Sequence, residues 1–248
     1  MIIVKSKQEI DLMRKAAKVT GYILRALNDV VKPGISTQDI DDFVEKTILD
    51  NKMIPAFKDY GGFPASACVS INEEVVHGIP SKKRVLIEGD IVSVDIGTVY
   101  KGYFSDAART YGVGKISAEA AKLIQVTEDS FYEGLKFCKS GQRLGDVSHE
   151  IQKKAEKEGY SVIRDFVGHG IGSDLHEDPQ IPNYGVAGRG PRLEAGMVFA
   201  IEPMIAEGDF EVEVLLNNWT VVTLDGKLSA HYENTVVITD GEPELLTC

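Results

Sequence analysis

The run Gly196-Met197-Val198-Phe199-Ala200-Ile201-Glu202 has the neighbours of a buried strand and ends in a carboxylate. Left unpaired in an apolar interior, such a group costs several kcal/mol or takes up a proton, so a partner cation or a metal is expected beside it. Gly89-Asp90-Ile91-Val92-Ser93-Val94-Asp95 repeats the arrangement, again six residues after a glycine and inside a β-branched run. Leu86 and Leu193, Gly89 and Gly196, and Asp95 and Glu202 are each separated by 107 positions. That register predicts a duplicated unit whose halves donate acids to one shared site.

The rest of the chain supplies no boundary between such halves. Its 248 residues, 43% hydrophobic, suffice for a sizeable core and contain no proline-rich or serine-rich linker, low-complexity run or charge block. One domain over residues 1–248 is the expectation. Twenty-seven basic against 38 acidic residues, a net charge of -11, argue against direct nucleic-acid binding through the phosphate backbone. Cys68, Cys138 and Cys248 are odd in number and lack CxxC spacing, which fits a reducing cytoplasm better than a disulfide framework or structural zinc. Met1 to Glu9 has no apolar leader, and no run of about 18 apolar residues exists to span a membrane.

Ser6-Lys7-Gln8-Glu9 reads as a capping box opening a helix towards Val31, and Lys32-Pro33-Gly34 ends it. Ser36 caps a second helix with Ile40, Phe43, Val44, Thr47 and Ile48 on its apolar stripe. Ala67–Ile71, Glu88–Gly97 and Tyr103–Tyr111 read as strands, with Lys101-Gly102 as the turn of a hairpin. Without that turn Asp95 and Asp106, 11 residues apart, would lie more than about 30 Å from one another at strand rise. Ser117 starts a third helix reaching Lys139, and a fourth starts near Asp146. Strands over Val162–Val167, Met197–Ile205, Phe210–Leu216, Trp219–Leu224 and His231–Thr239 complete an α+β fold with a curved, mostly antiparallel sheet backed by helices.

Asp95, Asp106, Glu202, Glu233 and His169 are the candidate metal-seeking side chains. If they converge, each carboxylate pair about 4 Å apart repels by about 4 kcal/mol at an effective dielectric near 20. Two divalent cations with a bridging hydroxide bring such a cluster near neutrality, and oxygen donors with one imidazole suit Mn, Fe, Co or Zn. His169 lies between glycines in Val167-Gly168-His169-Gly170-Ile171-Gly172, a pattern that lets backbone approach closely and reads as a turn. A satisfied core histidine is its plain alternative, but His77 and His176 also sit beside turn signals, and three such histidines favour a site. His149 reads as solvated. His231 shares a strand face with Glu233, which leaves open a sixth ligand or a donor to the ligands.

Taken in order, Asp95-Ile96-Gly97, Gly102-Tyr103-Phe104-Ser105-Asp106, Gly168-His169-Gly170-Ile171-Gly172, Glu202-Pro203 and His231-Tyr232-Glu233-Asn234-Thr235 resemble the motifs of type I methionine aminopeptidases, which have the creatinase-like "pita-bread" fold. The resemblance runs from about Ser6 to Ile238. It implies two pseudo-twofold halves and a pair of divalent ions held by Asp95, Asp106 and Glu233, with Asp106 and Glu233 bridging, and with His169 and Glu202 completing one ion. It further implies that Glu202 shuttles protons, that His77 bonds the substrate amide and that His176 stabilises the oxyanion. Tyr60, Phe63, Cys68, His77, Leu175 and Trp219 would surround the side chain of an N-terminal methionine. Leu175 departs from the phenylalanine common in bacterial relatives, and Phe57 stands where a smaller residue is frequent.

The activity so implied is metal-dependent removal of initiator methionine from nascent polypeptides in the cytoplasm, preferentially before a small second residue, by a monomer. Any transient ribosome contact would use the catalytic surface itself. A proline dipeptidase of the same fold would share the five ligands, although fewer than 100 residues precede Asp95, too few for the extra N-terminal domain of such relatives. A binding protein on the same scaffold would be indifferent to loss of Glu202.

Overall fold

The computed structural model describes residues 1–248. Helix α1 (Lys7–Val30) begins at the expected capping box, the Ser6 N–H donating to Glu9 Oε2 at 2.7 Å. Ser36 opens α2 (Thr37–Asp50) in the same way with Asp39. Helix α3 (Ala118–Leu135) stops short of Lys139, because Phe137 and Cys138 fold into tight turns on Gly134 and Leu135. Helix α4 (Leu144–Lys157) starts earlier than expected: Asp146 is its capping acid, accepting the Arg143 N–H at 2.8 Å.

The first half carries β1 (Ile54–Pro55), β2 (Ala67–Ile71), β3 (Glu74–Val76), β4 (Ile91–Tyr100) and β5 (Tyr103–Gly112). The second carries β6 (Ser161–Val162), β7 (Gly168–Gly170), β8 (Glu177–Ile181), β9 (Val198–Ile201) and β10 (Met204–Ala206). It continues through β11 (Val212–Val214), β12 (Val221–Thr223), β13 (Ser229–His231), β14 (Asn234–Val237) and β15 (Glu244–Leu245). One sheet is ordered β1-β4-β2 with β5 also on β4, and its counterpart is ordered β15-β14-β9-β7-β8. Two smaller sheets, β13-β10-β6 and β11-β12-β3, lie beside them. Pairing within all four sheets is antiparallel. This is the expected α+β architecture, with the sheet divided rather than continuous.

The 107-residue register is visible in the backbone. Strands β4 and β9 begin at Ile91 and Val198, each two residues after a glycine with left-handed φ, +100° at Gly89 and +94° at Gly196. Side chains with a Cβ rarely adopt that conformation. Leu86 and Leu193 are both buried at the matched turns. Helices α1 and α2 cover the β4 sheet through Ile23, Leu27, Ile40, Val44, Val94 and Ile96. Helices α3 and α4 cover the β9 sheet through Phe131, Val147, Ile151, Phe199 and Val236. Burial of these apolar faces, at roughly 25 cal/mol per Å², is what holds each helix pair to its sheet.

Five expected strands are broken or shortened. Met197–Ile205 divides into β9 and β10, and His231–Thr239 into β13 and β14. The breaks coincide: Ile201 pairs with Asn234 on one side and Met204 with His231 on the other. Glu202-Pro203 therefore faces Tyr232-Glu233 across a shared bend, and Pro203, lacking an N–H, cannot continue the ladder. Val162–Val167 contracts to β6, Phe210–Leu216 to β11 and Trp219–Leu224 to β12. No helix is long and apolar enough to cross a membrane.

Candidate metal centre and substrate cavity

The hairpin β4–β5 places its two acids by register alone. Asp95 lies opposite Ala108, and Asp106 opposite Gly97, so the carboxylates are diagonal neighbours on one face. Cys68 lies opposite Asp95 on the other side and joins that face. Helix α1 braces the hairpin from behind, where Thr20 Oγ1 meets Ser105 Oγ at 2.7 Å and Thr98 Oγ1 at 3.0 Å.

The second half supplies the remaining three side chains. His169 sits in the middle of β7, paired with Ala200 and Gln180, and not on a turn as its glycines suggest. Those glycines serve close packing: a Cβ on Gly168 would come 2.4 Å from the Ala200 carbonyl oxygen, and one on Gly170 would come 2.1 Å from that of Asp178. His169 Nδ1 lies 2.9 Å from the Gly170 carbonyl and donates to it, which leaves Nε2 as a lone-pair donor facing Glu202 Oε1 at 3.6 Å and Asp106 Oδ2 at 3.8 Å. Glu202 and Glu233 project from the shared bend. His231 Nε2 lies 3.5 Å from Glu202 Oε2, although the strand face it was expected to share with Glu233 is interrupted between them.

Burial and like charge dominate the electrostatics. Burial pushes the Glu202 carboxyl up to about 8 and the Asp95 carboxyl up to about 6. Burial first, then neighbouring carboxylates, raises Asp106 and Glu233 as well. Burial lowers His169 to about 3 and His77 and His231 to about 4, so all three rings are neutral. Asp95 Oδ1, Asp106 Oδ1 and Glu233 Oε1 are buried with no hydrogen-bond partner. The donor atoms of Asp106, His169 and Glu233 lie within 4.8 Å of one another, as do those of Glu202, His231 and Glu233. Unpartnered carboxylate oxygens beside a neutral imidazole fit divalent cations and little else.

Asp95, Asp106, His169, Glu202 and Glu233 form one end of a cavity of about 200 Å³. Its other walls are Phe57, Tyr60, Gly61, Phe63, Cys68, His77, Leu175, His176 and Trp219, so the expected ligands and substrate-binding residues all line it while His231 does not. Phe63 and Trp219 pack edge to face at 5.1 Å, and Tyr60 Oη meets His176 Nδ1 at 2.8 Å. The His176 ring lies against that of His169 with centroids 4.3 Å apart and planes tilted by 54°. His77 adopts a left-handed φ of 59°, an uncommon conformation for a residue with a Cβ, between the edges of Phe166 and Trp219. His149, expected in solvent, is half-buried, with Nδ1 3.2 Å from the Gly185 carbonyl.

Several residues position the ligands in ways the sequence did not show, although Thr235 and Tyr232 lie within the motif His231-Tyr232-Glu233-Asn234-Thr235. Thr235 Oγ1 accepts from the Asp106 N–H at 3.0 Å and donates to the Asp106 carbonyl at 2.8 Å. The Glu233 N–H donates to the Ala108 carbonyl, and Arg109, stacked 4.0 Å over Tyr232, donates to the Glu233 carbonyl. These bonds run between the halves, and no local pattern marks a residue whose partner is about 125 positions away.

Known proteins resemble this chain over nearly its whole length. The profile of metallopeptidase family M24 matches residues 11–240. A methionine aminopeptidase of Clostridium acetobutylicum is 58% identical over 247 residues, covering 100% of this chain and 99% of the relative. Methionine aminopeptidase 1 of Bacillus subtilis is 51% identical over the same shares. The crystal structure of the Thermotoga maritima methionine aminopeptidase superposes with a TM-score of 0.98 at 49% identity, covering 100% and 99% of the two chains. A Pyrococcus furiosus prolidase, 23% identical with a TM-score of 0.79, shares the fold over 99% of this chain and 65% of its own. The chain belongs to metallopeptidase family M24, among its methionine aminopeptidases.

Proposed function

We propose that this chain is a single catalytic domain that hydrolyses the N-terminal methionine from new polypeptides, preferentially when the second residue is small, and that it works as a cytoplasmic monomer. The observation that carries the reading is the set of three unpartnered buried carboxylate oxygens at the end of a cavity otherwise walled by aromatic, aliphatic and thiol side chains. Asp95, Asp106, His169, Glu202 and Glu233 would hold two divalent ions, with Co, Mn, Fe and Zn all compatible with the donor set. When bound, the ions supply Lewis acidity, polarising the scissile carbonyl and acidifying a water at the site.

The chain's own residues do the rest. Phe63, Cys68, Leu175 and Trp219 receive the long, polarisable methionine side chain, with Phe57 and Tyr60 closing the cavity around it. The acid cluster attracts the free α-amino group. Glu202, its carboxylate made basic by burial, accepts a proton from the attacking water and returns it to the leaving amine. With Tyr60 O–H donating to His176 Nδ1, the His176 Nε2–H is left to stabilise the developing oxyanion, and His77 bonds the substrate amide.

The test is turnover of Met-Ala-Ser by protein supplied with each metal in turn. Cleavage is expected, the N-acetylated peptide should resist, and Xaa-Pro dipeptides should be poor substrates. Equal cleavage of free and acetylated peptides would refute amine anchoring, and preference for Xaa-Pro would replace the activity.

A further inference from the structure

Glu202 stands between two imidazoles, and the proposed centre uses only one of them. His169 Nε2 approaches Oε1 at 3.6 Å, and His231 Nε2 approaches Oε2 at 3.5 Å. His231 is 1% exposed, and its Nε2 has no hydrogen-bond partner. The backbone at this position is clamped: Thr110 Oγ1 accepts from the His231 N–H at 2.9 Å and donates to the His231 carbonyl at 2.9 Å. The ring is therefore aimed at the carboxylates by its strand.

A neutral imidazole nitrogen presents either a proton or a lone pair. A lone pair would make His231 a sixth ligand, since its Nε2 lies within 4.8 Å of donor oxygens of Glu202 and Glu233. The surroundings favour the proton. The cluster is rich in acceptors, four carboxylates, while the one ring N–H of His169 is already engaged by the Gly170 carbonyl. A further acceptor would add to that excess, and a donor relieves it.

We infer that His231 is a positioning residue whose Nε2–H donates to Glu202 Oε2 and holds that carboxylate in the orientation from which it transfers protons. The 3.5 Å separation is long for such a bond, as catalytic hydrogen bonds often are before substrate tightens them. The inference rests on the proton-transfer role given to Glu202 above.

His231→Leu removes the donor, and His231→Gln places an amide N–H near the position of Nε2 while offering a poor ligand for the metal. Both are compared with the parent by circular dichroism, by Co(II) titration of metal-free protein with its visible absorption spectrum, and by kcat and KM for Met-Ala-Ser. The Leu variant should lose roughly 10-fold to 100-fold in kcat with little change in KM, and the Gln variant should recover most of that loss. The Co(II) spectrum and affinity should be the same in all three proteins. In a Glu202→Gln background, His231→Leu should have no further effect. Weakened Co(II) binding with an altered spectrum in both folded variants would overturn the inference in favour of a ligand, and an unchanged kcat in the Leu variant would also overturn it. Should His231→Leu fail to fold, the Gln variant decides: retained kcat and spectrum support the donor, loss of both refutes it. A fully active Glu202→Gln protein would instead remove the proton-transfer reading, and this inference with it, while leaving the Co(II) comparison intact.

Discussion

The two halves deliver their carboxylates in different ways. In the first, Asp95 and Asp106 project from the interior of two unbroken ten-residue strands, and register alone makes them neighbours. In the second, Glu202 and Glu233 project from a bend where two chain segments leave one sheet together and enter another. The short aspartate suffices where a flat ladder already brings Cβ atoms close, whereas the longer glutamate reaches in from a bend. The glycines differ in the same sense. A Cβ on Gly97 would meet side chains, Ala56 Cβ at 2.7 Å and Phe57 Cε1 at 2.9 Å, while one on Gly168 would meet the Ala200 backbone. Beside the Asp95–Asp106 ladder one of the two close neighbours, Phe57, can rotate, whereas beside His169 the close neighbour is a strand carbonyl that moves only with its sheet.

The comparison can be broken most directly at the ladder. Asp106→Asn should abolish metal retention and bring turnover of Met-Ala-Ser to background. Because it removes one of four mutually repelling buried acids, the metal-free variant should melt no lower than the metal-free parent. A lower melting temperature would show that the acids are not in conflict. Gly168→Ala drives β7 from β9, and overpacking of that kind costs about 1–3 kcal/mol. Urea titration should show the loss, together with weaker metal binding through displaced His169.

Thr235→Val cuts the seam between the halves and strands the buried N–H and carbonyl of Asp106, a loss of about 1–3 kcal/mol. If its stability matched the parent, the seam would not be what couples the two modes of delivery. Gly97→Ala should cost about 1–3 kcal/mol in the same way, because Phe57 can rotate but Ala56 Cβ, 2.7 Å away, moves only with its backbone. Phe57 would then move towards the methionine cavity and lower kcat/KM for Met-Ala-Ser by about tenfold or more, with metal content unchanged.

Much of the first half was legible in the sequence. The Ser6–Glu9 box, the Lys101-Gly102 turn and the apolar run into Asp95 are local signals, and each lies where its chemistry puts it. The 107-residue register was legible because matched turns need matched glycines. The bend was not. Residues on either side of Glu202 and of Glu233 are buried in both sheets, so hydrophobic pattern continues through the break, and only Pro203 marks it. His169 was misplaced on a turn because glycines demanded by a neighbouring strand's carbonyl look the same in sequence as glycines demanded by a reversal. The sequence left His231 open between a ligand and a donor to the ligands, and only the bend shows that its ring faces Glu202.

The bonds Asp106–Thr235, Ala108–Glu233 and Thr110–His231 tie β5 to the segment carrying the last acid and thereby join the halves through the catalytic centre itself. Opening one half against the other would break these bonds and separate the carboxylates together. Denaturant curves followed by helical ellipticity, by tryptophan emission and by residual peptidase activity should therefore superpose on a single transition, with loss of catalysis and loss of fold as one event.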